Sequence, residues 1–171
     1  MARRVFISVL GTGFYKKCRY CKDTFISSET RFIQQALMEY HNIKSWNGSD
    51  RIFILLTDKA KSENWDITDS KKCNKITGEY EDYAGLKQII KEMSLPAKTE
   101  EVRIDDGKDE GETWNIFSTV FNILEEGDEL YIDLTHSFRY LPMLILVLSN
   151  YAKFMKNVNV AAISYGNYEE I

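Results

Sequence analysis

Cysteine is scarce in this chain of 171 residues, which contains only three: Cys18, Cys21 and Cys73. Three cysteines at irregular spacing are too few for a disulfide framework. The Cys18-x-x-Cys21 pair could bind zinc together with Cys73 and His41, but one CxxC without a second pair is a weak signal for such a site. Two reduced thiols on a hairpin are the better interpretation, and we expect neither a metal nor a cofactor.

A long apolar run is also lacking. The longest one, at residues 140–148, contains Pro142 and is too short to span a bilayer. No apolar segment with a cleavage site follows the first residues, so we expect a cytoplasmic protein without a membrane partner. The length and the content of 44% hydrophobic and 28% charged residues predict a single globular domain over residues 1–171.

Positive charge is not in excess, because the formal net charge at pH 7 is −4. Proteins that bind long nucleic acids directly carry a basic patch or stripe. The charge balance therefore argues against a long nucleic acid as a direct partner. It leaves room for a small anionic ligand, since a pocket needs only a few local donors.

Short apolar runs alternate along the chain with segments that carry apolar residues at helical spacing. The runs predict strands at 5–10, 51–57, 101–104, 130–134 and 158–163. The helical spacing predicts helices from Ser27 or Ser28 to about Tyr40, and at about 83–93, 114–124 and 141–156. This alternation indicates an α/β, Rossmann-like fold, in which a parallel sheet of about five strands has helices on both faces.

Two connecting segments differ in character. Residues 14–26 mix aromatic with basic side chains and predict a hairpin excursion after the first strand, with its turn near Lys22 and Asp23. The polar segment 61–79 has no clear period, which predicts irregular structure at the surface.

Two polar clusters follow the first and the fourth predicted strands. A chain of this kind commonly has the strand order 3-2-1-4-5, which makes these two strands neighbours at the point where the order reverses. Ligands bind outside the carboxyl ends of the strands at that switch point. The two clusters, Gly11-Thr12-Gly13 and Thr135-His136-Ser137, are therefore expected to form one site.

The second cluster lies in a polar stretch between the apolar fourth strand and the last helix. Four hydrogen-bonding side chains between two buried elements suggest a ligand site. Two structural alternatives stay open here. Thr135 or Ser137 could cap the helix that follows, and Arg139 could tie the loop to Asp133.

Several common site chemistries are missing. Gly11-x-Gly13 lacks the third glycine of a dinucleotide fingerprint, and no GxxxxGK[ST] phosphate loop is present. His136 and Ser137 are adjacent and outside a nucleophile elbow, which argues against serine hydrolysis. The remaining donors are backbone N–H groups, hydroxyls, an imidazole and a guanidinium, which suit phosphate oxygens or ribose.

The last predicted helix is apolar on all sides between positions 143 and 148. Such a helix must be covered all round. One face can lie on the sheet, and a second copy of the chain is the simplest cover for the other.

The chain resembles the CRISPR-associated Rossmann-fold (CARF) sensor domains of type III CRISPR ancillary proteins. The resemblance rests on residues 6–15, 30–37, 133–142 and 163–166, which span almost the whole chain in order. The most specific block has the pattern Asp-x-Thr-His-Ser/Gly-Phe-Arg-x-Leu-Pro and begins at Asp133.

The resemblance implies a homodimer that binds a cyclic oligoadenylate (cA4 or cA6) across its two-fold axis in antiviral defence. The type III interference complex makes this ring after it detects foreign RNA. By position, the first binding loop would be Gly11, Thr12 and Gly13, and the second Thr135, His136, Ser137 and Arg139. Weaker candidates are Thr57, Asp58 and Lys59.

Proteins of this family usually carry an effector domain after the sensor, most commonly a ribonuclease with Arg-x-x-x-x-His. No arginine here has a histidine five positions on, so we expect the effector in a longer protein, or a sensor that stands alone. Two alternatives to a pure sensor remain. One is a metal-independent ring nuclease with His136, Ser137, Thr12 and Arg139 as catalytic candidates; the other is a nucleotide-binding regulator outside CRISPR.

Overall fold

A parallel sheet forms the centre of the computed structural model, which describes residues 2–168. Its five strands are β1 (Arg4–Val9), β2 (Arg51–Leu56), β3 (Lys98–Arg103), β4 (Glu129–Asp133) and β5 (Asn159–Ser164). They are hydrogen-bonded in the order β3-β2-β1-β4-β5, and every pair is parallel. The predicted fold class and strand order are confirmed.

Helices cover both faces of the sheet. The four longer ones are α1 (Ile33–Tyr40), α2 (Leu86–Met93), α3 (Glu110–Ile123) and α4 (Leu141–Lys156). Side chains of β1 alternate between two cores: Val5 and Ile7 pack with α3 and α4, whereas Phe6 packs with α1 and α2. Burial on both faces explains why β1 is almost continuously apolar.

The excursion after β1 contains the predicted hairpin, called here the first hairpin. Its strands, Cys21–Lys22 and Phe25–Ile26, pair antiparallel. The predicted start of α1 at Ser27 or Ser28 is wrong, because α1 begins at Ile33. The Ser27 hydroxyl instead accepts a hydrogen bond from the N–H of Tyr20 at 2.9 Å and donates to a backbone carbonyl, which keeps this segment on the hairpin.

The segment between β2 and α2 is more ordered than predicted. A short helix (Asp58–Ala60) and a π-helical turn (Lys61–Trp65) follow β2, and then a second hairpin has strands Lys71–Cys73 and Tyr80–Asp82. Asn64 and Trp65 are buried. The prediction of irregular surface structure at 61–79 is therefore wrong for this part.

Smaller differences concern the ends of elements. Helix α3 begins at Glu110, earlier than predicted, because the Asp109 carboxylate accepts a hydrogen bond from the N–H of Glu112 at 2.8 Å. Strand β3 begins at Lys98 and lies at the edge of the sheet.

None of the helices within residues 2–168 combines the length and the apolar content needed to cross a membrane.

Candidate functional site

A cavity of about 580 Å³ opens at the carboxyl ends of β1 and β4. The structure brings both predicted polar clusters together there, and Arg139 joins them. The polar and glycine residues of these two loops that line it are Gly11, Thr12, Gly13, Thr135, His136, Ser137 and Arg139. The strand order places these loops side by side, because β1 and β4 are neighbours.

A larger hollow of about 670 Å³ lies between the first hairpin, α1 and the end of β5. Its walls are largely aromatic and aliphatic. Among the residues that the structure describes, no buried side-chain nitrogen or oxygen lining this hollow lacks a hydrogen-bond partner. We therefore place the candidate site in the smaller cavity, whose lining contains His136 and Ser137, two residues with such atoms.

Asp133 organises the loop that follows β4. Its carboxylate is buried and accepts hydrogen bonds from the Ser8 hydroxyl at 2.7 Å, the Thr135 N–H at 2.9 Å and the Thr135 hydroxyl at 2.6 Å. The Thr135 oxygen in turn accepts from the N–H of Gly166 at 2.8 Å. Burial raises the pKa of Asp133, although the hydrogen bonds from Thr135 and Ser8 act in the opposite direction.

Arg139 does not tie the loop to Asp133, so that structural alternative is wrong. Its backbone has φ +51°, a left-handed conformation that costs energy in any residue other than glycine. The neighbouring Tyr140 hydroxyl holds this turn by donating to the carbonyl of Gly107 at 2.6 Å. The guanidinium lies 3.5 Å from the same carbonyl and remains exposed at the rim of the cavity.

The capping alternative is also wrong. The residue that precedes the first turn of α4 is Tyr140, and no side chain caps the helix there. Thr135 is held by Asp133 and Gly166 instead. Ser137 therefore has no capping role that would explain its hydroxyl.

His136 forms one wall of the cavity. Its ring stacks on the ring of Tyr15, with centroids 4.4 Å apart and planes at 26°. A Cβ atom on Gly11 would overlap the Tyr15 hydroxyl and would lie 3.2 Å from the His136 Cβ, so the stack requires glycine at this position. Burial lowers the pKa of His136, although the charge of Asp133 acts against this shift.

Two side-chain atoms at the cavity are buried without a hydrogen-bond partner. They are Nε2 of His136 and Oγ of Ser137, two of only four such atoms in the described part of the chain. A buried polar atom left unpaired costs about 1–3 kcal/mol. His136 and Ser137 lie side by side in the lining of the cavity, which makes the loop after β4 a candidate binding element.

The three weaker candidates after β2 separate in the structure. Thr57 and Lys59 line the cavity. The Thr57 hydroxyl is occupied as a cap, because it accepts from the N–H of Ala60 at 3.2 Å. Asp58 is not part of the lining and pairs with Arg103 at 3.1 Å on the surface.

Three residues with a part in the site escaped the sequence reasoning. Asp106 and Lys108, on the loop after β3, line the cavity and pair with each other at 3.2 Å. The carboxyl end of β3 lies at the same edge of the sheet as those of β1 and β4. The rule that ligands bind outside the carboxyl ends of the strands would therefore have identified both residues. Asn64, which binds the Gly11–Gly13 loop from below, gave no signal in the sequence.

The zinc alternative finds no support in the structure. Within residues 2–168 no three side chains of histidine, cysteine, aspartate or glutamate are grouped so that they could hold a metal ion. Cys21 lies on the first hairpin and Cys18 next to it in a bridge with Thr30, whereas Cys73 belongs to the second hairpin.

Comparison with known proteins identifies the family. The sequence model for the CARF domain of the CRISPR system endoribonuclease Csx1 matches residues 5–169. The chain belongs to the Csx1 CARF-domain family. CRISPR-associated protein MJ1674 of Methanocaldococcus jannaschii is 31% identical over 143 residues, which are 80% of this chain and 22% of that protein. This CARF domain thus spans less than a quarter of that relative's length.

The lowered pKa of His136 predicts how acid affects this CARF domain. In the unfolded chain the imidazole takes up a proton near its ordinary pKa of 6.5, whereas the folded protein resists protonation. His136 therefore stabilises the fold above pH 6.5, and this contribution is lost as the pH falls through the lowered folded pKa. The free energy of unfolding of the wild type should therefore exceed that of His136→Gln by more at pH 8 than at pH 5.

Urea unfolding at the two pH values measures this difference. His41 also has a pKa lowered by burial, but it is present in both proteins and cancels in the comparison. A difference that stays constant with pH would show that His136 titrates alike in the folded and unfolded states.

Proposed function

We propose that this CARF domain is a sensor that binds a cyclic oligoadenylate, cA4 or cA6, in type III CRISPR antiviral defence. The observation that carries the proposal is the cavity at the switch point, where the two polar loops that follow β1 and β4 meet. The family match supports a CRISPR role over a regulator outside CRISPR.

The charges of the cavity suit a polyanion. Lys59, Lys108 and Arg139 line it, against the single carboxylate of Asp106. A phosphodiester oxygen forms short, charge-assisted hydrogen bonds with such donors. The chain can thus bind a ring of phosphates locally although its net charge is negative.

The proposed dimer would form through α4. Its exposed side chains make an apolar stripe at helical spacing: Met143, Leu146, Val147, Tyr151, Phe154 and Met155. The opposite side of α4 packs on the sheet. Because α4 begins two residues after Arg139, pairing two such helices about a two-fold axis brings two cavities toward one ring.

The effector is proposed to lie in a longer protein. CRISPR-associated protein MJ1674 extends far beyond the part that this chain matches, and the family is described as the CARF domain of an endoribonuclease. Ring binding at the dimer would then bias the arrangement of such an effector, as a ligand with unequal affinity for two states does.

Incubation with cA4, with cA6 and with linear tetra-adenylate tests this function. Calorimetry measures the affinity, and chromatography of the same samples shows whether the ring stays intact. Binding of an intact ring in preference to the linear control supports the sensor. Failure of both rings to bind at micromolar concentration would contradict it.

The position of His136 in the lining of the cavity favours the ring nuclease as a second candidate. His136, Ser137, Thr12 and Arg139 would then orient the ribose 2′-OH toward the adjacent phosphate and stabilise the charge that develops. The 2′-oxygen forms a bond to phosphorus, the bond from phosphorus to the 5′-oxygen breaks, and the proton of the 2′-OH ends on that 5′-oxygen. Linear products that end in a 2′,3′-cyclic phosphate are the expected sign of this activity. Recovery of the intact ring after long incubation excludes it.

Arg139→Ala, which removes the guanidinium, is expected to weaken ring binding by about 10-fold or more. This is the usual contribution of a hydrogen bond to a charged group. The melting temperature should stay nearly unchanged, because the side chain is exposed. Arg103→Ala is the matched control, since Arg103 is also exposed but lies outside the cavity lining. Equal affinities of the two variants would remove Arg139 from the binding site.

A further inference from the structure

Asn64 lies beneath the Gly11–Gly13 loop and is fully buried. It belongs to the π-helical turn after β2 and is not part of the cavity lining. Its side-chain nitrogen donates to the carbonyl of Gly11 at 2.8 Å and to the carbonyl of Gly13 at 3.0 Å. One amide thus holds two alternate carbonyls of the first binding loop.

The orientation of this amide is determined by its other contacts. The oxygen of Asn64 accepts from the Tyr83 hydroxyl at 2.6 Å and lies 3.3 Å from the ammonium of Lys72. A flipped amide would place its NH₂ group against that ammonium and its oxygen against two carbonyls. All the hydrogen-bonding capacity of the side chain is used in the observed orientation.

The peptide geometry carries the effect of Asn64 across the loop. No residue from 2 to 168 has a cis peptide bond, so each carbonyl points opposite to the N–H of the next residue. With the carbonyls of Gly11 and Gly13 turned down to Asn64, the N–H groups of Thr12 and Phe14 point to the other side. Neither N–H meets a protein acceptor in the part of the chain that the structure describes.

We propose that Asn64 is a positioning residue, which turns the N–H of Thr12, a residue of the cavity lining, toward a phosphate of the bound ring. A backbone N–H that meets no protein acceptor can donate to an anion at the edge of a cavity. This inference rests on the proposed function and deepens it. It assigns a backbone donor of the first loop to the phosphate of the ligand, and it assigns to Asn64 the role of orienting that donor.

Asn64→Asp is the most selective variant. It keeps the size of the side chain and an oxygen for Tyr83 and Lys72, but it replaces the donor to the loop by a second acceptor. Two carbonyls then face a carboxylate, and the loop must turn away. Ring affinity is expected to fall about 10- to 100-fold, as for the loss of hydrogen bonds to a charged group.

Asp50→Asn is the matched control, because it exchanges the same two chemical groups at an equally buried position. Asp50 lies at the opposite end of the sheet, where it accepts from Arg4 and from the N–H of Asn47. Both variants should lower the melting temperature, but only Asn64→Asp should lower ring affinity. A loss of affinity that follows the melting temperature in both variants would show a merely structural role and overturn the proposal.

Amide spectra of ¹⁵N-labelled protein separate this proposal from the proposed function. Inorganic phosphate at millimolar concentration should shift the amide signal of Thr12 in the wild type and leave it in place in Asn64→Asp. If neither ring binds the wild type, the proposed function fails, but this phosphate response still supports the positioning role. Absence of the response in the wild type, or its persistence in Asn64→Asp, overturns the positioning role.

Discussion

Gly11→Ala is expected to lower ring affinity by about 100-fold or more, the penalty that a displacement of about 1 Å carries in a preorganised site. The added methyl group would overlap the Tyr15 hydroxyl, so Tyr15 must leave its stack on His136 or the loop must move. Either movement also displaces the N–H of Thr12. The fold itself should lose about 1–3 kcal/mol, as other overpacked sites do.

Calorimetric titration with the ring, together with urea unfolding, measures both effects. Gly48→Ala is the control, since the nearest atom to a Cβ at that exposed turn is a carbonyl oxygen 3.9 Å away. The control should bind like the wild type. Wild-type affinity of Gly11→Ala would mean that the Tyr15–His136 stack has no part in holding the ligand.

Val147→Glu is expected to convert the proposed dimer into a monomer. Val147 is 62% exposed in the middle of the apolar stripe of α4. A carboxylate there would be buried without a partner in the interface, which costs several kcal/mol and raises the dimer dissociation constant by about 100-fold or more. Ring affinity should fall with it, because each monomer offers only half of the proposed site.

Sedimentation velocity at several protein concentrations measures the oligomeric state. Ile76→Glu is the control, because Ile76 is 93% exposed on the second hairpin and is not part of the apolar stripe of α4. It introduces the same charge and should leave the dimer intact. A dimeric Val147→Glu would move the interface to another surface of the domain.

The sheet was predictable because its strands are apolar on both faces. The side chains of β1 serve two cores at once, and this produces a run that neither a surface strand nor an amphipathic helix would show. The alternation with helices then restricted the topology to few orders. The meeting of Gly11 and His136 followed from that order alone.

The contacts within the site were less accessible to sequence reasoning. Asn64 is a polar residue in a segment without period, and its burial depends on Gly11 and Tyr83, which are distant in sequence. The left-handed turn at Arg139 is marked by no glycine; the Tyr140 hydroxyl and the Gly107 carbonyl hold it. The start of α1 was misplaced for a similar reason, since the partner of Ser27 lies on the first hairpin.

The central position of β1 has a consequence for the synthesis of the protein. Of the five strands of the sheet, β1 leaves the ribosome first, but one of its two neighbours, β4, follows only much later. The hydrogen bond from Ser8 to Asp133 joins residues 125 positions apart. At about 5–20 residues per second, one apolar edge of β1 stays unpaired for several seconds and is prone to aggregation. The candidate site therefore cannot form until almost all of the domain has been translated.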